Sequence, residues 1–289
     1  MRLVLVHGIG QEKTNRDALR DAWLQSLRGA LSAVGDWPGQ KITVEVPFYG
    51  DKLDALARGL AGAGTALAQG VDGESDDFAA FAGKDLYAIA LALGATDAQI
   101  AAEAGMTVEQ GIFDKKWIKA VARVLETVSP LRGRLALMVL KQAHSYVARP
   151  HIAQEIDAIV RPALAHDEPM IVVAHSLGTV VTYKLLREFA AQGKPRDVPL
   201  FVTLGSPLSI DAVRRGFPSP RLRPQTIKRW LNGADRKDFV ALRNVLDAST
   251  FGPGPVENIS DIDNGDEPHE GVRYLGDIRV ARAIRDALL

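Results

Sequence analysis

The sequence predicts an α/β fold, a mainly parallel sheet flanked by helices, with a helical insertion ahead of its strongest strand. Short runs of β-branched residues and leucine, such as residues 3–6 and 170–173, break off within a few residues at Gly or Ser, as strands buried on both faces do. Stretches with helical spacing follow these runs, and strand alternating with helix is the order of parallel units. Between residues 50 and 150 the alternation stops: Ala, Gly and Leu dominate, and no clear strand intervenes.

Residues 3–6 (LVLV) make the first strand, and Leu19, Trp23, Leu27 and Leu31, four apart, mark one face of a helix over residues 14–34. Residues 41–46 (KITVEV) alternate as a second strand, closed by Pro47. In the insertion, Phe113, Trp117, Val121, Val124 and Val128 form one stripe, and Leu135, Val139 and Tyr146 lie in another helical run after Pro130. Such stripes are read first as core, because amphipathic helices routinely face their own fold. Residues 151–165 form a further amphipathic helix, with Ile152, Ile156, Ile159 and Val160 on one side. The strand at 170–173 runs into AHSLG, after which residues 179–190 are helical. Residues 200–204 (LFVTL) read as a strand ending at Gly205, and 227–231 as a weaker one ending at Asn232 and Gly233. Residues 256–262 complete the sheet, and 277–289 close the chain as a helix.

The 289 residues are 47% hydrophobic and 24% charged. Those proportions suit a folded core, so residues 1–289 are taken as a single domain carrying 50–150 as a cap-like or lid-like insertion. The absence of Cys removes a disulfide framework, a thiol nucleophile and a thiolate metal site. Thirty-five basic and 35 acidic side chains balance, which argues against a protein-wide grip on nucleic acid. No run of 18 or more residues is uncharged and strongly apolar, and MRLVLVHGIG lacks both the length and the cleavage site of a leader. The expectation is a cytoplasmic protein. No H-E-x-x-H spacing occurs, and the Gly-rich residues 59–64 lack the Lys and the preceding strand of a phosphate loop. Neither a metal nor another cofactor is therefore expected.

The sharpest motif is Val172-Val173-Ala174-His175-Ser176-Leu177-Gly178 between a buried strand and a helix. A serine on such a turn stands clear of the backbone, and the residues two before and two after it must be small because the turn brings them close. Ala174 and Gly178 meet that demand. The plainer alternative is a serine that caps the helix beginning near Leu177. His7-Gly8-Ile9-Gly10, directly after the first strand, is either a tight turn or part of the same site.

Together these motifs resemble the α/β-hydrolase superfamily, and in particular its lipase and esterase branch, over most of the chain outside residues 50–150. The resemblance implies that Ser176 is a nucleophile and that the backbone N–H groups of Ile9 and Leu177 form an oxyanion hole, with His7, Gly8, Gly10, His175 and Gly178 in support. In this superfamily the order along the chain is Ser, acid, His. Of six histidines only His269 follows Ser176, and the run from His269 to Tyr274-Leu275-Gly276-Asp277 is similar to one seen after the base in some lipase-like members. Eleven carboxylates lie between Ser176 and His269. The resemblance narrows them to Asp238, in the pattern Asp238-Phe239-Val240, with Asp235 as the alternative. Either could instead cap a helix starting near Phe239.

This implies a serine carboxylic-ester hydrolase working through an acyl-enzyme on a small-molecule or lipid-like acyl ester. An acyltransferase or thioesterase would use the same three side chains, and a non-catalytic binding module could keep the fold. An insertion placed before the nucleophile strand departs from the many relatives whose cap comes later, so substrate preference does not carry over. Residues 51–110 hold three basic and ten acidic side chains, and 111–150 hold eight basic and two acidic. Arg214, Arg215, Arg221, Arg223, Lys228 and Arg229 add a basic run without an acid. Most such runs are solvated faces; the functional alternative is an anionic substrate or peripheral contact with an anionic membrane surface. The oligomeric state leaves no mark on the sequence.

Overall fold

Six strands form one parallel sheet in the computed structural model, which describes residues 1–11, 14–32, 35, 37–38, 42–52, 76–107, 115–252 and 254–289. They are β1 (Arg2–Val6), β2 (Thr43–Glu45), β3 (Met170–His175), β4 (Val198–Leu204), β5 (Ile227–Asp235) and β6 (Glu257–Ile262), in the spatial order β2-β1-β3-β4-β5-β6. Every residue of β3 is buried, as its unbroken apolar run requires of a central strand. Val6 pairs with Ala174, His175 with Leu204, and Leu204 with Gly233. That register brings the ends of β1, β3, β4 and β5 to one edge, the carboxyl edge where open α/β sheets carry their sites.

Helix α1 (Arg16–Leu31) is capped by the Asn15 side chain, which accepts from Ala18 N–H. Its buried Leu19, Trp23, Leu27 and Leu31 join Leu3, Leu5, Ile171, Val173, Leu200 and Val202 of the sheet in one core. After the insertion come α6 (Pro150–Leu164) and, directly following β3, α7 (Leu177–Ala191). These two helices are tied by Arg161–Glu188 at 2.6 Å and by an ion pair between Lys184 and Asp157. Past β6, α9 (Gly271–Leu275) leads into α10 (Ile278–Leu288), whose Val280, Ile284 and Leu288 complete the α1 side of the core.

The chain divides into two compact units. The first comprises Met1–Asp51, Gln154–Ser209 and Phe217–Leu289 and contains the whole sheet. The second comprises Lys52–Ala153 and Ile210–Gly216. Its described helices are α2 (Asp76–Ala92), α3 (Asp97–Ala104), α4 (Lys115–Val128), α5 (Pro130–Ala148) and the short α8 (Asp211–Arg215). Trp117, Val121 and Val124 of the expected stripe are buried, as are Val139 and Tyr146 of the second. The buried Asp85 carboxylate accepts from the backbone N–H groups of Asp211 (3.1 Å) and Ala212 (2.8 Å), capping α8 from outside its own segment. Phe113, Lys41, Val34 and residues 59–64, which figure in the sequence reading, lie outside the described residues.

Three local expectations are corrected. The weaker strand does not stop at Leu231 but runs to Asp235, because the polar Asn232 finds Thr203 (2.9 Å) and Asn258 (3.1 Å) inside the fold. No helix begins at Phe239: the chain makes turns there, with Val240 N–H bonded to Asp238 Oδ1 at 2.9 Å. The Pro- and Arg-rich stretch 206–224, which the sequence suggests is a loop, is not all loop, since it carries a 3₁₀ turn (Pro207–Ser209) and α8. Among the described residues, no helix is long and apolar enough to cross a membrane.

Candidate active site

Ser176 sits between the last residue of β3 and the first of α7, with φ 52° and ψ −129°. A non-glycine residue there is strained by about 1–3 kcal/mol, which persists only when its surroundings hold it. They do: Ser176 N–H donates to Leu204 O (2.9 Å), and Thr179 Oγ1, itself 2.8 Å from Ser206 Oγ, donates to Ser176 O (2.7 Å). A Cβ on Gly178 would collide with the carbonyl oxygens of Val6 and His7, so glycine is required at that position. The Ser176 side chain makes no capping bond to α7, contrary to the plainer reading of the motif.

Ser176 Oγ instead lies 2.9 Å from His269 Nε2, and His269 Nδ1 lies 2.9 Å from Asp238 Oδ2. An ionised carboxylate only accepts, so Nδ1 carries the ring proton and the Ser176 hydroxyl donates to Nε2. Ser176 and the Asp238 side chain are fully enclosed, and His269 is 8% exposed. Burial works to raise the Asp238 pKa, but the His269 ring and the donors from His269, Tyr274 and Val240 outweigh it and hold the group below the usual carboxylate range. Asp235 does not reach His269. Its carboxylate accepts from the backbone N–H groups of Lys237 (2.7 Å) and Asn264 (2.6 Å), joining the loops that follow β5 and β6.

The HGIG loop lies against the serine, since a Cβ on Gly8 would overlap Ser176 Cβ. Neither the Ile9 nor the Leu177 N–H finds an acceptor among the described residues. Gly10 follows in the left-handed region at φ +75°. His7 braces this loop: its Nε2 accepts from Tyr49 N–H (3.0 Å), so its Nδ1–H donates to Gly8 O (2.7 Å). The Tyr49 hydroxyl bonds to His7 O, and the two rings stack at 4.1 Å. His175 Nε2 donates to His269 O (2.8 Å), with the rings 4.8 Å apart. Burial holds both histidines neutral, pushing His7 down to about 4 and, with the adjacent His269 adding to the effect, His175 to about 3.

The fold thus brings Ser176, His269, Asp238, His7, Gly8, His175 and Gly178 together, while the Asp235 carboxylate is turned to Lys237 and Asn264. Sequence reasoning gave no role to Tyr49 or to Tyr274, although Tyr274 stands in the run after His269, because nothing in the sequence says which way either hydroxyl turns. Of the basic run, Arg214 pairs with Asp211 (2.7 Å), Lys228 with Asp197 (2.9 Å) and Arg229 with Glu257 (2.7 Å). In the second unit, Arg123 meets Glu103 at 2.8 Å. Among the described residues, no group of three or more His, Asp or Glu side chains is arranged to hold a metal ion. No protein-family model, curated protein or solved structure matches this chain.

Proposed function

We propose that this protein is a serine hydrolase of carboxylic esters, built on an α/β-hydrolase fold and working through an acyl-enzyme. The observation that carries the reading is the unbroken chain of hydrogen bonds from Asp238 through His269 to Ser176, each 2.9 Å, ending on a serine held in a strained turn. As Ser176 Oγ attacks the ester carbonyl carbon, its proton passes to His269 Nε2, and the buried Asp238 carboxylate stabilises the imidazolium. The carbonyl π electrons move to oxygen, where the Ile9 and Leu177 N–H groups are the candidate donors, each worth about 3 kcal/mol in the transition state. Collapse of the tetrahedral species breaks the bond to the alcohol, which leaves with the proton from Nε2. Water then attacks the acyl group by the same route and restores the serine.

Hydrolysis of p-nitrophenyl butyrate tests this. Ser176→Ala and His269→Ala are each expected to lose about 10⁴-fold or more in kcat, both with unchanged circular dichroism. Ser176→Ala keeping more than about a tenth of the wild-type rate overturns the reading, and a loss below about tenfold in His269→Ala removes it from the role of base.

A further inference from the structure

Asp238 Oδ2 accepts from two side chains at once: His269 Nδ1–H at 2.9 Å and the Tyr274 hydroxyl at 2.7 Å. The same hydroxyl oxygen accepts Asp235 N–H at 3.0 Å, so one phenol joins the end of β5 to the carboxylate beyond it. Tyr274 is fully buried in α9, which begins two residues after His269. The three side chains converge on Gly205, where an added Cβ would lie 2.8 Å from Asp238 Oδ2, 3.1 Å from His269 Nδ1 and 3.1 Å from Tyr274 Cε2. Burial and the neighbouring Asp238 charge raise the phenol pKa well above its ordinary value, so it remains a neutral donor.

We propose that Tyr274 is a positioning residue for the hydrolytic reaction: its hydroxyl fixes Asp238 against rotation and draws charge from the oxygen that faces His269, setting the basicity of that imidazole. This rests on the serine-hydrolase reading above. Without the hydroxyl, Oδ2 carries more charge and stabilises the imidazolium more strongly, while the carboxylate loses one of its restraints. The other groups facing this cluster are Ser176, His175 and His7 from the β3 and β1 ends, and Asp235 through its backbone. The two histidines are neutral across the working range, so they add no titrating charge there.

The test is the pH profile of kcat/KM for p-nitrophenyl butyrate in wild type and Tyr274→Phe. The variant is expected to lose about 10–100-fold in kcat with little change in KM. Its acid limb should move to higher pH by roughly half a unit. A lower rate with an unmoved limb makes Tyr274 merely structural and overturns the proposal, as does wild-type behaviour. If Tyr274→Phe does not fold, 3-fluorotyrosine at position 274 is a stronger donor of nearly the same shape, and it should move the limb to lower pH. An unmoved limb there also overturns the proposal. Wild-type activity that survives Ser176→Ala would instead sink the serine-hydrolase reading, so the two failures are distinguishable.

Discussion

A carboxylate that water does not reach needs donors, and Asp238 has three: the His269 ring, the Tyr274 hydroxyl and the Val240 N–H. Asp235, three residues earlier, spends its oxygens on Lys237 and Asn264. The two aspartates therefore differ in what their loss should do. Asp238→Asn is expected to cut kcat for ester hydrolysis by about 10⁴-fold, because an amide cannot enforce the Nδ1–H tautomer. Asp235→Asn is expected to keep activity within about tenfold and to lose about 1–3 kcal/mol in urea unfolding, since its amide NH₂ would face an N–H. The reverse pattern would transfer the acid role to Asp235. Motif and chain order alone singled out Ser176 and His269, because few other residues competed for those places. The pattern Asp238-Phe239-Val240 put Asp238 ahead of Asp235 only by resemblance, since the two share one turn and it is the direction of each side chain that distinguishes them. Tyr49 and Tyr274 were illegible for a related reason: their hydroxyls act on residues 42 and 36 positions away.

Elements were legible in proportion to how much of their burial is local. β3 and β1 read plainly, because strands covered on both faces must be apolar throughout. The end of β5 did not, since Asn232 and Gly233 look like turn residues. Asn232 is satisfied by partners on two neighbouring strands, and Gly233 is wedged where a Cβ would lie 2.9 Å from both Leu204 Cδ2 and Ile262 Cδ1. That extension matters for the site because it delivers Asp235 to Tyr274 and the following turn to His269. α8 and α9, at five residues each, are too short to show a period, and they are held by distant partners: Asp85 for α8, and for α9 Ser26, whose hydroxyl donates to Val272 O at 2.7 Å. The helices of the insertion were visible as a change of texture, but their grouping with Ile210–Gly216 was not, because nothing in a sequence links segments so far apart.

At the scale of the whole molecule, the balance of 35 basic and 35 acidic side chains hides a strong dependence on pH. His7 and His175 are buried and neutral. In the unfolded chain both rings take up protons below about 6.5, whereas in the folded protein they resist until about 4 and about 3. Over that interval the unfolded state holds more protons, so stability is lost as pH falls, by about 1.4 kcal/mol per unit for each ring. Asp238 acts in the same direction further down: its lowered pKa stabilises the fold above the ordinary carboxylate value and ceases to do so as pH falls. Urea unfolding is accordingly expected to show a loss of about 2 kcal/mol between pH 6 and pH 5, and a flat response would contradict two buried neutral imidazoles. Both rings brace the proposed catalytic groups, so the interior that stabilises the molecule is the one that organises the chemistry proposed for it. The most direct measurement of that chemistry is mass spectrometry of the protein after treatment with a fluorophosphonate. The account predicts a single adduct on the peptide containing Ser176, lost in Ser176→Ala and slowed by orders of magnitude in His269→Ala. An unlabelled wild-type protein, or a label undiminished in Ser176→Ala, would contradict it.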